Sequence, residues 1–139
     1  GLETGGTMPK GFRTEDGPRP EFAELYGAVE HPSSHYVPRT ECNVRDADGT
    51  IVFGDIESGG SKQTCLACKH YSKEILHVLI SRRNLTLDDG LQRHDLLRGA
   101  LKDWLAANRI ETLNVAGNRE SKCPGIREFV SQFLYDALS

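Results

Sequence analysis

Short apolar runs alternate with longer amphipathic segments along the central and C-terminal parts of the chain. Residues 50–53 and 75–80 are apolar on both sides, which is typical of strands in a parallel sheet that is covered on two faces, and residues 112–115 predict a third strand. Residues 62–72 have helix-forming content and lie between the first two strands. Strands that alternate with helices in this way predict an α/β fold with a parallel sheet and right-handed crossovers.

Two amphipathic helices are expected in the C-terminal half. The first ends near Asn108. Its apolar face is formed by Leu97, Leu101, Trp104 and Leu105, with Ala100 between them. The second has apolar positions three and four residues apart over residues 126–138, and Pro124 is well placed for its first turn. This second spacing is the clearest helical pattern in the sequence.

The remaining segments are more polar. Residues 1–38 are rich in Gly, Pro and charged side chains, which predicts extended segments and turns with one short strand within residues 27–33. Residues 39–48 predict a short helix with Thr40 as its N-cap. Residues 81–90 are expected to be a polar connector.

The composition is that of a globular domain. The chain has 139 residues, 37% of them hydrophobic and 27% charged, with a formal net charge of -3, so a single domain over residues 1–139 is expected. This charge gives no general reason to expect binding to nucleic acid or to a membrane surface. The apolar runs are too short to cross a bilayer and residues 1–11 lack a signal-peptide pattern, so we expect a cytoplasmic protein.

Two loops share one order of features: an apolar strand, a polar loop with glycine, and a helix. In a parallel sheet both loops emerge at the carboxyl ends of their strands, where unpaired N–H groups at helix starts attract anions. The donors are Ser58, Gly59, Gly60, Ser61 and Lys62 in the first loop and Asn118, Arg119, Ser121 and Lys122 in the second. We predict a site for a small anionic ligand at this edge; the alternative is that both loops are only turns.

Cys65 and Cys68 form a C-x-x-C pair, and Cys42 and Cys123 bring the number of cysteines to four. The pair falls inside a predicted helix and lacks a second C-x-x-C, which disfavours a metal site. Ser61 stands at the helix start, where a redox pair would place its first cysteine. We therefore expect reduced cysteines that pack as small buried residues, and no metal site.

Four segments carry a family resemblance. They are TGGTMPKGFRTEDGPRP, RTECNVRDADGTIVF, the Ser-Gly-Gly loop and LNVAGNRESKCPGI, and they span nearly the whole chain. In this order they resemble the circularly permuted YpsA-like branch of the SLOG superfamily, whose members carry the label "putative molybdenum carrier protein".

The resemblance implies a Rossmann-like three-layer α/β domain with a mainly parallel sheet. It also implies a nucleotide-like ligand, or an oxyanion related to molybdate or the molybdenum cofactor, at the carboxyl edge of that sheet. Backbone N–H groups and hydroxyls hold tetrahedral molybdate much as they hold phosphate, so the sequence leaves the ligand unidentified.

The two loops and the family-matching segments together give a set of expected ligand contacts. The loop contacts are Ser58, Gly59, Gly60, Ser61, Gly117, Arg119, Glu120 and Ser121. The rim of the site is expected to include Lys10, Arg13, Asn43 and Asp46.

Two departures from the family pattern give further hypotheses. Family members begin with a strand and an S-G-G-Q-T-G turn upstream of the segment that matches GLETGG, so the chain is expected to be truncated or to have lost this strand. A second copy would then cover the exposed sheet edge in a homo-oligomer. Related phosphoribohydrolases have a glutamate where this chain has Leu66, which cannot transfer a proton. Hydrolysis of a nucleotide N-glycosidic bond is therefore an alternative that needs Asp55 or Glu57 as the base, and a structural role without any ligand is a third hypothesis.

Overall fold

The computed structural model describes residues 2–80 and 87–139 and has the expected α/β architecture, with a parallel sheet between two layers of helices. None of the helices in this part of the chain is both long and apolar enough to cross a membrane. In chain order the elements are β1 (Gly6–Met8), β2 (Arg13–Thr14), β3 (Gly17–Pro18), α1 (Phe22–Tyr26), β4 (Ala28–Glu30), α2 (Tyr36–Asp46), β5 (Gly49–Phe53), α3 (Gly59–His70), β6 (Glu74–Val78), α4 (Leu87–Ala107), β7 (Leu113–Gly117) and α5 (Ile126–Leu138).

The main sheet has the strand order β6-β5-β7, and all of its strands are parallel. Every residue of β5 is buried, which follows from its central position and its lack of charged side chains. Phe53 at the end of β5 is in register with Val78 on one side and with Gly117 on the other. The three predicted strands are confirmed, and their carboxyl ends lie side by side.

The two faces of the sheet are covered by different helices. Ile51 and Phe53 pack against α4 and α5, where Phe133 lies 5.6 Å from Phe53 between ring centroids. Burying each of these large side chains contributes about 1.5–3 kcal/mol. On the other face α2 packs on α3, and the apolar cluster there is built from Val44, Ala67 and Cys68. The apolar spacing predicted for residues 126–138 is confirmed, because all of its apolar side chains belong to the first of these clusters.

The N-terminal part contains small elements, most of which the sequence pattern did not predict. β1 and β4 form a parallel pair, and β2 and β3 form a short antiparallel hairpin. The strand expected within residues 27–33 is confirmed as β4. The Asn43 side chain ties β1 to α2, since its Oδ1 accepts the Thr7 N–H at 2.7 Å and its Nδ2 donates to the Thr7 carbonyl at 2.9 Å.

The start of α2 was predicted wrongly. The helix begins at Tyr36 with His35 as its N-cap, so Thr40 lies inside the helix as a buried residue. Pro38 in the first turn hides this start in the sequence, although proline is tolerated there because the first N–H groups of a helix have no intrahelical partner.

Other boundaries also differ from the sequence pattern. α3 begins at Gly59 and not at residue 62, and α5 begins after Gly125, so Pro124 precedes the helix. A polar connector was predicted over residues 81–90. Residues 81–86 lie outside the described residues, and from Leu87 onward the prediction is wrong, because α4 begins there.

Candidate functional site

Two loops meet at the carboxyl edge of the sheet. The β5–α3 loop comprises residues 54–58, and the β7–α5 loop comprises residues 118–125. Because β5 and β7 are parallel neighbours with Phe53 opposite Gly117, both loops leave the sheet at the same place. The predicted proximity of the two loops is confirmed.

Asn118 joins the two loops. Its Oδ1 accepts the Asp55 N–H at 2.7 Å, and its Nδ2 donates to the Asp55 carbonyl at 3.0 Å and to the Ser61 Oγ at 3.2 Å. Gly54 makes this contact possible, because its φ is 99° and a Cβ at this position would collide with the Asn118 side chain. The Asn118 side chain, which the sequence analysis named as a possible ligand donor, therefore holds the two loops together.

The Asp55 carboxylate organises the β5–α3 loop. One oxygen accepts the Glu57 N–H at 2.9 Å and the other accepts the Ser58 hydroxyl at 2.9 Å. These bonds, first that from Glu57 and then that from Ser58, lower the pKa of Asp55 below its usual value and make it a weaker base. Leu66, which the resemblance aligns with the phosphoribohydrolase glutamate, is half exposed on α3. Both hydrogen bonds of the Asp55 carboxylate are made within the loop, so they do not support its role as a general base, and hydrolysis stays a hypothesis.

The N-terminus of α3 lies at the centre of this edge without a side-chain cap. Ser58 is the N-cap residue, but its hydroxyl is directed to Asp55, and the first backbone bond of the helix runs from the Lys62 N–H to the Ser58 carbonyl at 3.4 Å. Gly59 has a φ of 60°, and the position its Cβ would occupy is 3.1 Å from the Nζ of Lys122. A Cβ on Gly60 would point into open space. Gly59 and Gly60, the first two residues of α3, are thus exposed beside an ammonium group, whereas Ser61 is buried.

Glu120 holds the start of α5. Its two carboxylate oxygens accept the backbone N–H groups of Gly125 at 2.7 Å and Arg127 at 2.9 Å. These bonds, the one from Gly125 first, lower the pKa of Glu120 below its usual value. The structure gives this carboxylate a capping role, and its expected role as a ligand contact stays a prediction.

The β2–β3 hairpin is docked on the β7–α5 loop. The Ser121 hydroxyl donates to the Glu15 carboxylate, and Asp16 pairs with the Arg127 guanidinium at 3.2 Å. Both acidic residues of the hairpin turn are thereby directed toward the loop and the first turn of α5. This docking brings the hairpin residue Arg13 to the same edge as the loop residue Arg119.

Three guanidinium groups surround the ring of Tyr36, the first residue of α2; we call these residues the arginine cluster. The Cζ atoms of Arg13, Arg119 and Arg39 lie 4.6, 5.2 and 5.5 Å from the ring centroid. Each such cation–π contact is worth about 0.5–1 kcal/mol at an exposed site and about 2 when desolvated. The cluster is assembled from the hairpin, from α2 and from the β7–α5 loop.

The charges of the arginine cluster are not neutralised by the described residues. The ion pairs found in residues 2–80 and 87–139 leave out all three of its arginines. The Nε of Arg39 is buried and has no hydrogen-bond partner. Burial lowers the pKa of Arg39, the charge of Arg119 adds to this effect, and Tyr36 opposes it. A half-buried cation next to another cation, with no anion, is an energetically unfavourable arrangement.

The structure thus separates the predicted contacts into two groups. The residues that meet at the edge of the two loops are Ser58, Gly59, Gly60, Ser61, Gly117, Arg119, Glu120 and Ser121, joined by Arg13 from the hairpin. Asn43 binds β1, and Asp46 lies exposed at the far end of α2 from Tyr36, paired with Arg45 at 2.9 Å. Lys10 is exposed, and its N–H donates to the Ser33 carbonyl.

Sequence reasoning missed Tyr36 and Arg39 as candidate site residues. They are three residues apart, which places both on one side of a helix, but the sequence pattern predicts that this helix starts at residue 39. With the helix start at Tyr36, the spacing alone places Arg39 one turn beyond the ring. The contact of Arg119 with the same ring depends on tertiary structure.

The cysteines are free thiols in the described part of the chain. Cys68 is buried in the contact between α2 and α3, and Cys65 is half buried. Burial raises the pKa of both thiols; a neighbouring Cys68 adds to this for Cys65, and a hydrogen bond with Thr50 opposes it for Cys68. The prediction of a small buried packing residue is thus confirmed for Cys68, whereas Cys65 belongs to neither apolar cluster.

Comparisons with known proteins agree with the sequence resemblance. A model described as the circularly permutated YpsA SLOG family matches residues 1–138. The crystal structure of a "Putative molybdenum carrier protein" from Syntrophus aciditrophicus SB has 34% sequence identity and a TM-score of 0.81, covering 97% of this chain and 78% of that chain. No curated protein matches the chain. The resemblance and the Rossmann-like α/β fold inferred from the sequence are confirmed.

Proposed function

The chain belongs to the circularly permutated YpsA SLOG family, and on this premise we propose that it binds a small anionic ligand, a nucleotide or an oxyanion such as molybdate, at the edge formed by the β5–α3 and β7–α5 loops. The observation that carries the proposal is the N-terminus of α3, which has no side-chain cap and has the Lys122 ammonium group beside it. Backbone N–H groups at such a terminus and a nearby cation both favour a negative charge.

The surrounding contacts support binding by a preformed site. Asn118 fixes the positions of the two loops, and Asp55 fixes Ser58, so little ordering is required when a ligand arrives. Gly60 leaves the approach to the helix start open. The donor set consists of N–H groups and an ammonium, which suits phosphate and molybdate alike. The name of the similar crystal structure makes molybdate one of the anions to test.

Thermal unfolding in the presence of AMP, ADP-ribose, phosphate, molybdate and tungstate tests the proposal. A ligand that binds only the folded protein stabilises it by about 2.7 kcal/mol at 100 times its dissociation constant, which is a measurable rise in Tm. The test variant is Gly60→Glu, whose carboxylate would occupy the space in front of the helix start. A glutamate in the first turn is compatible with the helix dipole, so the fold is expected to be kept.

Gly99→Glu is the matched control, because Gly99 is an exposed glycine of α4 with open space at its Cβ position. We expect at least one of the anions to raise the Tm of the natural protein and of Gly99→Glu but not that of Gly60→Glu. A rise of equal size in Gly60→Glu, or no rise with any anion, would overturn the proposal.

A further inference from the structure

The arginine cluster has an excess of positive charge that the fold does not explain. Four other arginines of the described residues are paired with carboxylates, whereas Arg109 is exposed and takes part in no such pair. These pairs are Arg19 with Glu21, Arg45 with Asp46, Arg98 with Asp95 and Arg127 with Asp16. Around Tyr36, in contrast, three guanidinium groups lie within 5.5 Å of one ring centroid and none of them has such a partner.

Carboxylates are available in the chain but are directed elsewhere. The chain has 20 Asp and Glu residues against 17 Lys and Arg residues. Glu15 and Asp16 are close to Arg13 in sequence, yet they bind Ser121 and the Arg127 guanidinium. The cluster is therefore brought together by the fold and is left without a carboxylate by the same contacts.

Tyr36 gives the three cations a common platform. A guanidinium that stacks on an aromatic ring keeps its N–H groups free at the edge of its plane, where they can form two parallel bonds to one oxyanion. The Nε of Arg39 is buried without a partner among the described residues, as is that of Arg98, so the exposed guanidinium groups of Arg13 and Arg119 carry this step. The groups in the cluster have donors to offer and no acceptor among the described side chains.

We propose that Arg13, Arg39 and Arg119 form a subsite for a doubly charged tetrahedral oxyanion, either free or as the phosphate monoester of a larger ligand. For a larger ligand the inference rests on the proposed function, with the remaining atoms placed toward the start of α3. Arg119 and Lys122 belong to the same loop, so one loop supplies cations to both places. Guanidinium groups suit this chemistry because their fork geometry matches phosphate oxygens.

Isothermal titration calorimetry with inorganic phosphate, molybdate, AMP and adenosine tests the subsite. Arg119→Met and Arg13→Met are the main variants because both residues are exposed and their substitution leaves the core intact; Arg39→Met is a third. Arg109→Met is the matched control, since Arg109 is an exposed arginine near the amino end of β7, at the opposite edge of the sheet. We expect each cluster variant to weaken phosphate or AMP binding about tenfold or more, as loss of a charged hydrogen bond does, and the control to bind as the natural protein does.

The four probes distinguish the source of the oxyanion. Binding of AMP without binding of adenosine, phosphate or molybdate identifies a phosphate monoester, and binding of phosphate or molybdate alone identifies a free anion. Either result supports the subsite if the cluster variants lose it. Undiminished binding of these anions in Arg13→Met and Arg119→Met would overturn the inference.

Gly60→Glu separates this inference from the proposed function. If Gly60→Glu abolishes binding while the cluster variants keep it, the helix-start site stands and the arginine subsite is wrong. If Arg119→Met abolishes phosphate binding while Gly60→Glu keeps it, the subsite stands and the proposed helix-start site is wrong. If none of the four probes binds the natural protein, the subsite is wrong as well.

Discussion

The interlocked loops and the arginine cluster lie at one edge of the molecule but differ in how their polar groups are satisfied. In the loops, Asn118, Asp55 and Glu120 each receive or donate at least two hydrogen bonds within the chain. In the cluster, Arg39 has a buried Nε with no partner and a neighbouring cation. Of the residues in the cluster, the sequence predicts Arg13 and Arg119 and misses Tyr36 and Arg39, and only the loops are complete without a ligand.

The difference separates polar groups that build a site from groups that are free to bind. A side chain whose hydrogen bonds are made within the fold fixes geometry, and its loss lowers the stability of the apo protein. A cation without a partner adds little to that stability and gains an interaction only when an anion arrives. The stability of the apo protein should therefore fall clearly on substitution in the loops and change little on substitution in the cluster.

The largest effect is expected for Asn118→Ala. The substitution removes three hydrogen bonds, each worth about 0.5–1.5 kcal/mol net, so we expect the free energy of unfolding to fall by about 2–3 kcal/mol. Chemical denaturation measures this change. Asn108→Ala is the control, because the Asn108 side chain donates a single bond, to the Trp104 carbonyl, and about 1 kcal/mol is expected. Equal losses in the two variants would show that Asn118 does not hold the loops.

A smaller effect with a defined pH dependence is expected for Glu120→Gln. The amide can accept one of the two N–H groups of α5, but its own NH₂ opposes the other, so the Tm should fall by less than in Asn118→Ala. Because the folded pKa of Glu120 is below its ordinary value of 4.5, its stabilising contribution is present above that pH and is lost as the pH falls through the folded pKa.

The difference in Tm between the natural protein and Glu120→Gln is thus expected to be largest near neutral pH and to narrow below about pH 4.5. Thermal melts in a series of buffers measure it. The pKa values of Asp55 and Asp48 are also lowered, mainly by hydrogen bonds from the Glu57 N–H and the Thr112 N–H respectively. Both carboxylates are present in the two proteins, so their effects cancel in the difference in Tm. A difference that stays constant down to pH 3 would contradict the capping role.

The layers of the fold were predictable because burial leaves a pattern in the sequence. Residues of β5 are apolar on both faces, and α5 repeats its apolar side chains toward Phe53. Except for β4, the N-terminal strands were not predicted, since β2 and β3 have two residues each and are too short to show a period. The start of α2 was predicted wrongly because Pro38 lies in its first turn, and in the sequence this proline favours an extended segment up to residue 38.

The candidate site was predictable in position but not in the roles of its residues. Each glycine loop follows a strand, and the parallel pairing of the two strands brings the two loops together. The sequence pattern alone indicates this arrangement. Whether a polar side chain faces a ligand or another loop depends on contacts such as that between Asn118 and Asp55, which are 63 residues apart. Tyr36 carried no signal of its own, because its ring becomes a platform only when the hairpin and the β7–α5 loop close around it.

The smallest effect is expected for Arg119→Met in the apo protein, and its salt dependence distinguishes the two regions. Loss of the cation–π contact costs about 0.5–1 kcal/mol, whereas relief of repulsion from Arg39 offsets it, so the net change should lie within about 0.5 kcal/mol at low salt. Added salt screens the repulsion more than the ring contact, so Arg119→Met should become less stable relative to the natural protein.

Arg127→Met, which breaks the pair with Asp16, should become more stable relative to the natural protein as salt is added, because salt weakens the attraction that only the natural protein has. Denaturant titrations at about 0.01 and 1 M salt measure both slopes. The same slope in the two variants would mean that Arg119 is paired with a carboxylate as Arg127 is, and that the two regions do not differ.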